Sequence, residues 1–228
     1  MAWVAGLDGC RHNKWIAVLV QHNRGRPKDF RFQLCNTFDA LDPTPNVIAV
    51  DIPIGLLEKR AVGGRECDRL ARQKLGRPRA SSVFPPPIRP ALRLKSDAAA
   101  AQKYGLNLQT LGIRKRIAEV DAVMTPSRQK MIYEVHPELC FWKMNRERAM
   151  KHNKKSKRGR AERLRVLADF DPDVRKRVAE RPRGVGMDDL LDAYAAAWTA
   201  IRIAKGTAKT LPAQPPRDRH GLRIGIWY

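Results

Sequence analysis

Trp3-Val4-Ala5-Gly6-Leu7-Asp8-Gly9 and Val47-Ile48-Ala49-Val50-Asp51-Ile52-Pro53 decide how this chain folds. Each is a short apolar run that ends on a carboxylate and is then interrupted by glycine or proline. That is the pattern of a buried strand rather than a helix. Between them, Trp15 to Val20 forms a second apolar run, joined to the first by Cys10-Arg11-His12-Asn13-Lys14, a connection short enough to predict a hairpin. Asp29 to Thr37 alternates, with Phe30, Phe32 and Leu34 on one face, and reads as a third strand with that face inward. A turn or short helix at Phe38-Asp39-Ala40-Leu41 leads to the fourth strand, Asn46 to Asp51. Its continuous β-branched character predicts cover on both faces.

Beyond Gly63 the pattern turns helical and basic. Arg65 to Leu75, Ser96 to Tyr104 with Ser96 as N-cap, and Gln109 to Met124 are helix candidates. The run Arg77 to Phe84, followed by three prolines, is a loop. Gln129 to Val135 returns to strand and is broken by Pro137. Residues 143–183 carry 16 Lys or Arg against 6 Asp or Glu. Their core, Lys151 to Arg160, lacks apolar residues and predicts a mobile loop before a helix from about Arg160 to Phe170. Met187 to Lys205 is the clearest helix, and Gly221 to Tyr228 reads as a terminal strand. The chain is predicted to be one domain over 1–228, with basic helical or loop insertions at about 59–128 and 143–183.

The chain has 45 Lys plus Arg against 23 Asp plus Glu, a formal net charge of +22. Such an excess points to an anionic partner, with nucleic acid first, because many basic side chains can each displace a phosphate counterion. A merely solvated basic surface is the plainer alternative. Four scattered cysteines without a close pair support neither a zinc knuckle nor a disulfide framework and suit reduced thiols. No secretory signal and no run of about 18 apolar residues is visible, so a cytoplasmic protein without a membrane partner is expected.

Acids are scarce, yet they recur at the ends of apolar elements: Asp8, Asp51, Glu134, and the group Asp188, Asp189 and Asp192 opening the last helix. Three antiparallel strands followed by parallel strands interleaved with helices describe an α/β, ribonuclease H-like mixed sheet with flanking helices. In that topology Asp8 and Asp51 face each other across one strand spacing, about 4.8 Å. Ligands of open α/β sheets lie at the carboxyl ends of the strands. Carboxylates gathered there suit Mg²⁺ or Mn²⁺, and a pair of such ions stabilises both the attacking and the leaving oxygen in phosphodiester hydrolysis. His136, two residues after Glu134, stands where it can position or protonate a leaving group, and Glu138 is a spare ligand. Each residue also has a structural reading. Asp8 and Asp51 suit turns, Glu134 suits pairing with an arginine, Asp188 and Asp189 suit the helix dipole, and His136 suits a satisfied structural role.

At these residues the sequence resembles domain-of-unknown-function family 429, described as predicted nucleases of ribonuclease H-like fold. The resemblance runs through Gly6-Leu7-Asp8-Gly9-Cys10-Arg11, Asp51-Ile52-Pro53-Ile54-Gly55-Leu56 and Arg65 to Arg72. It continues through Ser82-Val83-Phe84-Pro85, Glu134-Val135-His136-Pro137-Glu138, Asp188 to Ala193, and the tail from Gly221 to Tyr228. It implies a metal site at Asp8, Asp51, Glu134 and either Asp189 or Asp192. Where the family has a small-residue turn, this chain has His12-Asn13-Lys14, which leaves the direction of Arg11 open.

The leading expectation is a metal-dependent nuclease whose basic segments, 59–95 and 143–183, hold the phosphate backbone. Arg11, Arg65, Arg69, Arg72, Lys154, Lys155 and Arg158 are the candidate contacts. Two alternatives are a nucleic-acid binder without turnover and, less well matched, an ATP-dependent phosphotransferase of the actin and sugar-kinase class. For the latter, Asp8-Gly9-Cys10 lacks the further Gly and Thr of a phosphate loop. DNA versus RNA, endo- versus exonucleolytic cutting, and oligomeric state are not encoded in any feature of the sequence.

Overall fold

Strand β1 (Ala2–Gly9) holds the centre of the molecule, because its residues are small or apolar on both faces. In the computed structural model, which describes residues 1–228, β1 pairs antiparallel with β2 (Trp15–Asn23). The turn between them places His12 and Asn13 at positive φ, and the Cys10 amide donates to the Lys14 carbonyl at 2.8 Å. β2 pairs antiparallel with β3 (Arg26–Cys35). On the other side of β1 lies β4 (Val47–Val50), parallel to it, and then β5 (Ile132–Glu134), parallel to β4. The result is a mixed five-stranded sheet in the order β3-β2-β1-β4-β5.

Helices cover both faces. The helices are α1 (Glu66–Leu75), α2 (Arg89–Leu92), α3 (Asp97–Tyr104), α4 (Leu108–Val123), α5 (Pro137–Met144), α6 (Lys157–Leu167), α7 (Val174–Ala179) and α8 (Met187–Ala204). Side chains alternate along β1, so Val4 joins the core beneath α8 while Ala5 and Leu7 join the core on the α4 side. α8 lies so close to β1 that a β-carbon at Gly6 would overlap the Ala197 amide nitrogen and the Ala193 carbonyl oxygen. The alanines of α8 and the glycine of β1 thus let backbone meet backbone. A short ribbon of β6 (Thr210–Leu211) and β7 (Ile226–Trp227) closes the β5 edge through a parallel bridge between Trp227 and Val135.

Several expectations are corrected. Leu34 is exposed, while Phe30 and Phe32 pack against Tyr194 of α8, so only part of the β3 face is inward. The terminal strand shrinks to Ile226–Trp227. Pro137 starts a helix as well as ending a strand, since proline at the first helical position forfeits no hydrogen bond. The lysine-rich segment is a pinned turn. Glu162 accepts from the Lys151 and His152 amides at 2.9 and 3.0 Å, and Ser156 caps α6 by accepting from the Gly159 amide at 3.0 Å. No helix is long and apolar enough to cross a membrane.

Candidate acidic site

Leu7 is level with Val50 in the parallel β1–β4 pair, so the next residues, Asp8 and Asp51, stand side by side at the carboxyl end of the sheet. Alternation sends both toward the α8 face, the face of Val4 and Ala49. The close packing allowed by Gly6 sets the first turns of α8 above them. Asp189 and Asp192, three residues apart, line the same cleft, whereas Asp188 does not. Both members of the Asp189 or Asp192 alternative are therefore present. Asp192 is 2% exposed.

Glu134 also lines the cleft, but it is held apart from the other acids by an ion pair with Arg65. It is level with Val50, one residue short of Asp51, and leaves the sheet on the opposite face. There it receives both terminal nitrogens of Arg65, at 2.8 and 2.5 Å, and the Ile54 amide at 2.6 Å. Arg65 also pairs with Asp68 at 2.8 Å and bonds the carbonyls of Ile54 and Gly55. Cys67, Asp68 and Glu134 bring ligating atoms within 4.8 Å of one another, but the Arg65 guanidinium already satisfies both carboxylates. The structure thus gives Glu134 the arginine-paired role.

Glu138, in the first turn of α5, adds a further carboxylate to the cleft. It lines the cleft, is 6% exposed, and gives Oε1 to Arg163 while Oε2 has no partner. A buried carboxylate oxygen without a donor is costly unless something cationic approaches it. His136 occupies the N-cap position of α5 without a side-chain capping bond and lies near Asp51. Its Nε2 is 3.3 Å from the Ser82 carbonyl, which only accepts, so Nε2 carries the hydrogen. Nδ1 then remains a buried base without a partner.

The electrostatics follow from this crowding. Burial pushes the Asp51 carboxyl up to about 6, with Asp192 and Glu138 adding to the shift and His136 opposing it. Burial, then Asp51, Asp192 and Asp189, hold Asp8 well above the carboxylate range. Asp189 and Asp192 are raised by burial as well. The cation closest to the aspartates is Lys154, whose Nζ lies 2.5 Å from Asp192 Oδ2. Attraction by Asp192, then by Asp8 and Asp51, raises its pKa despite burial.

The cleft has a volume of about 650 Å³, and Arg79, Arg116 and Lys155 contribute positive charge to its walls. Arg116, on α4, bonds the Cys10 carbonyl and faces the Trp15 ring. Of the other predicted basic contacts, Lys154 and Arg65 line the cleft but are engaged in ion pairs, and the rest stand elsewhere. Arg65 is buried at 2% exposure, Arg72 clamps the carbonyls of Val83 and Gly63, and Arg11, Arg69 and Arg158 are exposed outside the cleft. Arg79, Arg116 and the full weight of Glu138 were not identified in the sequence. A proline followed by an acid is a helix-start signal that pointed to Glu138, whereas the two arginines carry no local signature.

No curated protein and no solved structure matches the chain. The model of a family described as "Protein of unknown function (DUF429)" matches residues 6–217. That span takes in β1, the cleft and α8, and the chain belongs to the DUF429 family.

Proposed function

We propose that this protein is a divalent-metal-dependent phosphodiester hydrolase acting on nucleic acid, built on a ribonuclease H-like sheet. The observation that carries this reading is where the chain leaves acids without arginine. Glu134 and Asp68 take Arg65, while Asp121 and Asp218 take Arg89. Asp8, Asp51 and Asp189 form no ion pair, yet they converge with Asp192 and the free oxygen of Glu138 on one cleft. Hard oxygen donors crowded in this way fit Mg²⁺ or Mn²⁺. Asp8, Asp51 and Asp192 would hold the ion, with Asp189 and Glu138 beside them. When bound, it would supply charge stabilisation at phosphorus and an acidified water.

The remaining work belongs to the chain itself. Arg79, Arg116 and Lys155 neutralise and orient the phosphate backbone along the cleft. His136 Nδ1, a buried ring nitrogen without a partner while Ser82 holds Nε2, is placed to accept a proton near the scissile bond. The Lys154–Asp192 ion pair favours one alternative, a nucleic-acid binder whose acids are satisfied internally and which turns nothing over.

Cleavage assays on single-stranded, duplex and branched DNA and RNA separate the two. Activity should require Mn²⁺ or Mg²⁺, vanish in chelator, and fall at least about 100-fold in Asp8→Asn and Asp51→Asn while binding persists. Cleavage indifferent to both substitutions would sink the site assignment. Salt-sensitive binding without cleavage of any substrate would establish the binder.

A further inference from the structure

Lys154, whose side chain is 38% exposed, stands apart from the buried cations. Arg65, Arg89, Arg114 and Arg163 hold their acids through planar forks, several with added bonds to carbonyls, and these pairs build the fold. The pair with Asp192 is the one place where a buried acid meets a lysine. An ammonium is a compact point charge on a flexible stem. It imitates a metal ion in size and charge density more closely than a guanidinium does, and it can withdraw without moving the backbone.

The chain also goes to some length to put it there. Asn153 caps the Lys155 amide through its side chain at 2.9 Å, and its carbonyl accepts from the Ser156 hydroxyl at 2.8 Å. Glu162 and Arg163 pin the residues just before it, and a β-carbon at Gly159 would overlap the Asn153 carbonyl. The turn is thus fixed while the lysine stem remains partly exposed. Lys154 alone does not satisfy the cluster, because Glu138 Oε2 still lacks any partner in the cleft.

We propose that the Lys154 ammonium and a divalent cation are alternative counter-ions of one carboxylate cluster, so that Lys154 holds the acids together without metal and yields its place when metal binds. The proposal rests on the metal reading above. Its consequence is that Lys154 weakens metal affinity while stabilising the metal-free protein, a pair of effects of opposite sign that a plain structural ion pair does not produce.

Mn²⁺ binding to the full chain, measured by calorimetry for the wild type, Lys154→Met and Asp51→Asn, tests it. Lys154→Met should bind Mn²⁺ at least about tenfold more tightly and melt at a lower temperature without metal. In the wild type, Mg²⁺ titration should also shift and sharpen the Lys154 side-chain NMR signal as the ammonium leaves Asp192, a readout that holds if the variant folds poorly. Equal or weaker binding by Lys154→Met, or an unmoved Lys154 signal in a wild type that binds metal, overturns the exchange and leaves the metal site standing. Absence of metal binding in both the wild type and Lys154→Met overturns the metal reading and the exchange with it.

Discussion

Asp51 carries a definite share of the cost of gathering the acids. Burial and neighbouring acids raise its pKa from 3.8 to about 6, so the fold disfavours its charged form. A carboxyl raised in the fold contributes stability below its unfolded pKa and loses that contribution as pH rises through the folded value. The metal-free protein should therefore lose stability between about pH 4 and 6 through this residue. Asp51→Asn should raise the stability of the metal-free protein by about 3 kcal/mol at pH 8 and by almost nothing at pH 4, as read from denaturant titrations at both pH values. The Arg65–Glu134 pair is the contrasting case. Removing one partner strands a buried charge, so Arg65→Met should cost about 3–5 kcal/mol in urea unfolding. Its surviving folded fraction should keep wild-type Mn²⁺ affinity, and a loss of binding would return Glu134 to the metal site. The arginine-paired role of Glu134 was open in the sequence, but the choice between roles was not legible there. The partner lies 69 residues away, and the face of β5 depends on its register against β4.

Strand β1 and helix α8 make the site as a unit. Gly6 permits their backbones to touch, and this contact sets Asp189 and Asp192 over Asp8. Gly6→Ala forces the two elements apart and should destabilise the protein by about 3 kcal/mol or more, with weakened metal binding in whatever remains folded. A Gly6→Ala variant with wild-type melting temperature and Mn²⁺ affinity would show that this packing does not position the acids. The element ends were readable because capping chemistry is local. Ser96, for example, caps α3 by accepting from the Ala99 amide at 3.1 Å. α5 was missed because Pro137 reads equally as a strand stop and a helix start, and the apolar run Leu139 to Trp142 is too short for periodicity to decide.

At the scale of the whole molecule, the basic residues that give the charge of +22 are spread over the surface, with two smaller groups placed otherwise. Some arginines are consumed inside as fixed counter-ions, and a smaller set faces the cleft. If the cleft carries a phosphate backbone, Arg79→Gln and Lys155→Gln should each lower the slope of log affinity against log salt by about 1, whereas Arg158→Gln, outside the cleft, should change it little. Fluorescence anisotropy across a salt titration checks this, and equal effects from all three would mean diffuse binding over the surface. By itself the amino-acid sequence determined the strands of the main sheet and most helices, the adjacency of Asp8 and Asp51, the acidic start of α8, and the large basic excess. These follow from hydrophobic period, capping residues and net composition, all of which are local or additive. Only the tertiary structure decided that Glu134 pairs with Arg65, that Glu138 lines the cleft with a free oxygen, that Lys154 sits among the acids, and that Arg72 clamps backbone carbonyls. Those outcomes depend on strand register and on partners far apart in the chain, and the direction of a side chain in a sheet reverses with a shift of a single residue.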